Sequence, residues 1–232
     1  MKPVTFHFWP TPNCWKVAIL LEELGLSYDV VPIDITRGDQ FTDEFALVSP
    51  NNRVPAIVDH EPSFGGEPFA VFESGAILQY LAEKTGRFIP DDPRLRLTCF
   101  MWLFWQMGGL GPMAGQAHYF RLYAPEPIEP AIARYTNECR RLYGVLEHHL
   151  SGKSWIAGSY SIADIACLPW IFRHERHGQS LDDFPSVGAW YERLMSRPAV
   201  RAGFALDADL RDESAFVSAE SHKTLFRSSP DE

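Results

Sequence analysis

The succession of strands and helices in the first 86 residues constrains the fold of this chain more tightly than any other feature of the sequence. Val4-Thr5-Phe6-His7-Phe8 alternates as a half-buried strand does, and beyond Trp9-Pro10-Thr11-Pro12 the run Lys16 to Leu24 has helical spacing. Gly25 stands where a left-handed residue ends a helix. Tyr28 to Ile33, rich in β-branched residues, reads as a second strand, and a strand-helix-strand unit needs a crossover, which predicts parallel pairing. A loop with a short helix near Phe41 to Leu47 leads to the turn-forming Ser49-Pro50-Asn51-Asn52. Two short strands follow, Ala56 to Asp59 and Phe69 to Phe72, close enough for an antiparallel hairpin around Gly65-Gly66. A helix from Ser74 to Lys84 stops at Gly86 and completes the order βαβ, then ββα.

Beyond this point strand signals vanish. Arg87 to Arg94 carries Pro90, Asp91, Asp92 and Pro93 without periodicity and reads as a linker. Leu95 to Met107, Ala131 to Leu150, Ile162 to His177 and Val187 to Ser196 repeat apolar residues at helical spacing. The expectation is an α/β plus all-α chain: a thioredoxin-like domain over 1–87, a linker over 88–94, an all-helical bundle over 95–206 and a polar tail over 207–232. Ser161-Ile162-Ala163-Asp164 has the form of a capping box, a structural motif that assigns Asp164 to a helix start. The run Trp102 to Met113 is rich in aromatics and methionine, broken by Gly108-Gly109-Leu110-Gly111-Pro112, a break that implies close helix packing or a pocket wall near His118, Tyr119 and Phe120.

A formal charge of −9 disfavours a nucleic-acid partner, because such a surface cannot neutralise backbone phosphates. No apolar run approaches a membrane span and no signal-peptide pattern opens the sequence, so a cytoplasmic protein without membrane attachment is expected. Cys14, Cys99, Cys139 and Cys167 are scattered, with neither disulfide-framework nor zinc spacing, and the last three sit in apolar helical stretches as buried thiols. The histidines join no set of cysteines or acids that suggests a metal, and His148-His149 reads as exposed.

Several motifs, in order along the chain, carry a resemblance. Thr11-Pro12-Asn13, Ser49-Pro50-Asn51-Asn52 running into Arg53-Val54-Pro55, Phe72-Glu73-Ser74-Gly75, and Trp105-Gln106-Met107-Gly108-Gly109-Leu110-Gly111-Pro112 together with Tyr160-Ser161-Ile162-Ala163-Asp164 closely resemble the glutathione transferases, and within them the bacterial Nu class of glutathione-dependent disulfide-bond reductases. The resemblance spans about residues 3 to 205. It implies glutathione as bound cosubstrate, a homodimer, and no metal.

Taken from the residues alone, Thr11 caps a helix and Asn13 shapes a turn. The resemblance makes both of them donors to the thiolate of bound glutathione, at a helix N-terminus that favours an anion. It implies a cis Val54-Pro55 bond and pairing of the Val54 backbone with the cysteinyl unit. It assigns Glu73 to the γ-glutamyl ammonium and Ser74, an ordinary N-cap on the residue-level reading, to its carboxylate. It also assigns Gln40 and Arg53 to the rest of the tripeptide and has Arg134 cross a dimer to the neighbouring glutathione. Thr11 stands where a glutaredoxin has its attacking cysteine, so the attacking thiol is expected from glutathione itself, in the reduction of a small disulfide with weak conjugation besides. Conjugation of electrophiles as the main activity, or idle glutathione binding by a regulatory protein, are the rival readings. Cys14, in the resolving position, departs from the small residue common in the Nu class and reads as a poorly reactive helix thiol, with a part in the redox chemistry as the alternative reading.

Overall fold

The computed structural model describes residues 2–210 and 223–226. The chain divides into two compact units, Met1–Lys84 with Ala202–Glu232, and Thr85–Arg201. Much of the polar tail expected over 207–232 lies outside the described residues; within it Ala208–Leu210 form a 3-10 turn.

The first unit is built on a four-stranded sheet in the order β2-β1-β3-β4, with β1 Val4–Phe8, β2 Tyr28–Pro32, β3 Ala56–Asp59 and β4 Phe69–Phe72. β1 pairs parallel with β2 and antiparallel with β3, and β3 pairs antiparallel with β4. Alternation in β1 buries Val4, Phe6 and Phe8, as the sequence pattern requires. The crossover is α1, Pro12–Leu24. It begins where the Thr11 hydroxyl accepts the Cys14 N–H at 3.4 Å, with Pro12 in the first turn, where a missing N–H costs nothing. It ends at Gly25, whose φ of 68° suits a residue without a Cβ, while the Leu26 N–H closes on the Leu21 carbonyl at 3.2 Å. Residues Cys14 to Leu21 are all buried, and the Trp15 ring meets Phe204 edge-on at 5.3 Å.

α2, Asp43–Val48, is capped by the Thr42 hydroxyl, which accepts the Phe45 N–H. Its Phe45 packs with Ile33 and Ala56, and Val48 and Val54 lean on the same cluster. The loop between α2 and β3 is thereby anchored at both ends. Inside that loop the Ser49 hydroxyl donates to the Arg53 carbonyl at 2.8 Å, Asn52 adopts φ 52°, and the Val54-Pro55 bond is cis. α3, Ser74–Thr85, follows β4 directly.

The second unit is helical. Asp92 caps α4, Pro93–Trp105, by accepting the Arg94 and Leu95 N–H groups at 3.0 Å. The Gly-rich stretch does not break this helix. Gln106–Leu110 widen into a π turn that passes into α5, Gly111–His118, and a second π turn over Tyr119–Tyr123 continues it. Gly111 is required by close approach: a Cβ there would sit 2.6 Å from Gln106 Nε2 and 3.3 Å from Trp170 Nε1. Further α-helices are α6 Glu129–Leu150, α7 Ile162–Ile171 and α8 Pro185–Met195, and α9 Pro198–Ala205 spans the boundary after Arg201. The capping box opens α7: Asp164 is fully buried and accepts from Ile156 N, Ser161 N, Ser161 Oγ and Trp190 Nε1. One expectation needs correction. His148 is exposed, but His149 is half-buried, with Nε2 2.8 Å from the Ile156 carbonyl and its ring 4.2 Å from that of Trp102.

Candidate functional site

A cleft of about 270 Å³ opens in the first unit where three pieces of backbone converge. The start of α1 contributes Asn13, the loop ahead of β3 contributes Ser49, Asn51, Arg53, Val54 and Pro55, and the junction of β4 with α3 contributes Phe72, Glu73 and Ser74. Two helix N-termini thus meet at one cavity, each bringing the positive end of a helix dipole. Such a place attracts anions.

Charge of both signs lines it. Arg53 is exposed on the loop, and Glu73 is exposed at the end of β4. Glu73 holds φ 69°, a left-handed conformation uncommon outside glycine, and its carbonyl accepts the Ile77 N–H at 2.9 Å to start α3. Asn51 Nδ2 donates to Glu73 Oε1 at 3.3 Å. Ser74, buried at the first position of α3, accepts at Oγ from the Nζ of Lys16, 3.3 Å away.

Of the residues singled out in the sequence, Asn13, Arg53, Val54, Glu73 and Ser74 are brought together in the cleft wall. Thr11 lies one turn end away as the cap of α1. Gln40 is buried in the 3-10 turn Asp39–Phe41, where its Nε2 donates to the Ile35 carbonyl at 3.2 Å. Arg134 is exposed on α6 in the helical unit. Four residues of the cleft wall were not singled out in the sequence, Ser49, Asn51 and Pro55 in the turn-forming loop and Phe72 at the end of β4, nor was Lys16, which touches Ser74.

Cys14 is beside the cleft in sequence but not in its wall. Its side chain is wholly buried, and burial pushes the thiol up to about 12 against the opposing pull of the Thr11 hydroxyl, the Trp9 backbone and the Lys16 charge. A thiol so raised stays protonated at neutral pH and is a poor nucleophile. The other three cysteines are also free and buried. Among the described residues no group of three or more His, Cys, Asp or Glu is placed to hold a metal, and no helix is long and apolar enough to cross a membrane. Two further histidines lie in the helical unit: His118, at the end of α5, stacks on Tyr123 at 4.9 Å with its Nε2 3.3 Å from Arg176, and His177 is fully buried.

Comparison with known proteins accords with this geometry. Residues 2–83 match the model of the glutathione S-transferase N-terminal domain, and residues 110–198 match that of the C-terminal domain. The disulfide-bond oxidoreductase YfcG of Escherichia coli K12 is 50% identical over 211 residues, covering 90% of this chain and 98% of that protein. A glutathione transferase from Pseudomonas putida, crystallised with one glutathione disulfide per subunit, superposes with a TM-score of 0.85 at 43% identity, covering 89% of this chain and 92% of that one. A family member from Pseudomonas fluorescens with two glutathione molecules bound superposes with a TM-score of 0.83, also at 43% identity, covering 88% and 92%.

Proposed function

Because the chain belongs to the glutathione S-transferase family, we propose that its cleft binds glutathione and that the enzyme reduces small disulfides with the thiolate of that glutathione. The observation that carries this reading is the pairing of a cleft built for an anionic ligand with a protein thiol held out of reaction. Cys14 is buried and raised to about 12, so the nucleophile has to arrive with the ligand.

Each part of the tripeptide finds a matching group. Glu73 takes the γ-glutamyl ammonium, Ser74 and the first-turn amides of α3 take the adjoining carboxylate, and the Val54 backbone pairs with the cysteinyl unit. Arg53 supplies positive charge for the remaining carboxylate. The thiol then lies toward the start of α1, where the dipole and the Asn13 amide stabilise its anion, with Thr11 shaping that turn as cap. Gln40 braces the loop on the flank through the Ile35 carbonyl.

The chemistry is two exchanges. The glutathione thiolate attacks one sulfur of the substrate disulfide, forming a mixed disulfide and expelling one thiolate, which takes up a proton. A second glutathione thiolate attacks the glutathionyl sulfur of the mixed disulfide, the second substrate thiol leaves, and glutathione disulfide is released. Two electrons pass from two glutathione molecules to one disulfide. That one relative was crystallised with glutathione disulfide and another with two glutathione molecules supports a site able to hold both partners of the second exchange.

The reading extends to a homodimer in the cytoplasm. Leu97, Met101 and Phe104 form an exposed apolar stripe on α4, a surface that a second copy would cover. Arg134 would reach the partner's glutathione from there. Four free thiols accord with a reducing compartment. The test is turnover with glutathione of a small disulfide against a model aryl halide. Faster disulfide reduction is expected, with weak conjugation; glutathione binding with no disulfide turnover would sink the reading in favour of conjugation or idle binding.

A further inference from the structure

Lys16 is a lysine with 1% exposure in the middle of an apolar helix, and its ammonium lies 3.3 Å from the Oγ of a residue 58 positions away. Removing an ammonium from water costs several kcal/mol unless hydrogen bonds receive it, and Ser74 Oγ is one of the groups that do. The place is directly behind the cleft: Ser74 is both the partner of Lys16 and part of the cleft wall, at the first position of α3.

The chemistry of the pair fixes a direction. An ammonium has three donors and no acceptor, so in this bond the Ser74 oxygen accepts. The Ser74 hydrogen is therefore turned away from Lys16, and the charge on Nζ polarises the O–H that bears it. A carboxylate arriving at the N-terminus of α3 meets a hydroxyl already set as a donor, together with the first-turn amides and a positive charge one atom behind them. A serine without such a partner can rotate to accept as easily as to donate.

We propose that Lys16 is a positioning residue: its buried ammonium orients and polarises the Ser74 hydroxyl, so that the cleft selects ligands carrying a carboxylate at this point. The inference rests on the reading that the cleft binds glutathione, whose γ-glutamyl α-carboxylate is the group selected. Lys16 acts through Ser74 and does not itself reach the ligand.

The test compares glutathione with an analogue in which that α-carboxylate is an amide, titrated by calorimetry into wild type, Lys16→Met, Ser74→Ala and the double variant. Methionine keeps the length and apolar stem of lysine and removes charge and donors. Lys16→Met is expected to weaken glutathione about ten- to a hundredfold, the range for a lost hydrogen bond to a charged group. The same change is expected to alter affinity for the amide by no more than about twofold, and to add no more than about twofold once Ser74 is alanine. If circular dichroism shows that Lys16→Met does not fold, Lys16→Gln, uncharged but polar, carries the same comparison. Equal weakening of both ligands, or an undiminished effect in the Ser74→Ala background, overturns the inference while leaving glutathione binding intact. A wild type that binds no glutathione overturns both it and the reading beneath it.

Discussion

The side-chain amide of Asn51 donates to Oε1 of Glu73 at 3.3 Å, joining a turn and a strand end that lie 22 residues apart. Glu73 is thereby held from two sides, by Asn51 through its carboxylate and by the Ile77 N–H through its carbonyl, in a backbone conformation that few residues adopt. If it receives the glutathione ammonium, Glu73→Gln is expected to cost about ten- to a hundredfold in affinity, as for a charged hydrogen bond. Asn51→Ala, which removes only the hydrogen bond to that carboxylate, is expected to cost about three- to tenfold. Calorimetry ranks the two, and a larger loss for Asn51→Ala would contradict these roles.

Cys14 has the position of a resolving cysteine but the environment of a core residue. With bound glutathione as nucleophile, Cys14→Ser keeps most of its disulfide reductase activity per folded molecule. A fall of more than about a hundredfold in kcat/KM, roughly 2.7 kcal/mol, would place the protein thiol in the reaction path.

The apolar stripe on α4 predicts the assembly state. Wild type is expected to sediment as the proposed dimer, and Met101→Glu, which puts a charge in the middle of the Leu97–Met101–Phe104 row, as a 26.3 kDa monomer. Arg134→Ala, on exposed α6, is expected to leave assembly intact and to weaken glutathione binding. A wild type already monomeric at micromolar concentration would remove the basis for both.

His177 predicts how stability varies with pH. Burial holds it down to about 3, reinforced by the nearby charges of His118, His174, Arg173 and Arg121, and its Nδ1 lies 3.3 Å from the Tyr143 hydroxyl. In the unfolded chain the same imidazole titrates near 6.5. Between those values the unfolded state binds the extra proton, so this contribution is fully present above pH 6.5 and is lost as pH falls toward 3. The limiting slope is about 1.4 kcal/mol per pH unit. His177→Gln is expected to flatten the decline in denaturant midpoint between pH 7 and 5; an unchanged slope would assign the acid sensitivity to other groups.

What the sequence disclosed and what it hid follow from the range of the interactions. β1, α1, β3, β4 and the α7 capping box are written in neighbouring residues: alternation over Val4 to Phe8, Gly25 after an apolar run, Ser161 three residues before Asp164. The Gly108 to Pro112 stretch misled in one respect, because π turns keep helical dihedrals through a sequence that looks like a break. Glu73 and Ser74 were legible through their motif, whereas the partners that aim them were not. Lys16 meets Ser74 across 58 residues and Asn51 meets Glu73 across 22, so nothing local to either lysine or asparagine marks it as part of a site.

Asn13 offers the most direct test of how the thiolate is made. It lines the cleft in the first turn of α1, directly after Pro12, so its side-chain amide and the helix dipole act on the same point. An amide donates to an anion but does not take up a proton at neutral pH, so in the proposed mechanism Asn13 stabilises the glutathione thiolate without acting as its base. Asn13→Ala is expected to cost roughly 1.5–3 kcal/mol of that stabilisation and to raise the pKa of the bound thiol, which starts near 8.5 in water. The pH dependence of kcat/KM for a small disulfide, followed from pH 6 to 9, then moves alkaline. Glutathione affinity is expected to fall much less, because the proposed contacts of Glu73, Ser74 and the Val54 backbone with the rest of the tripeptide are left in place. A correctly folded variant with an unshifted profile would restrict Asn13 to shaping the turn, and thiolate stabilisation would fall to the α1 backbone and Thr11.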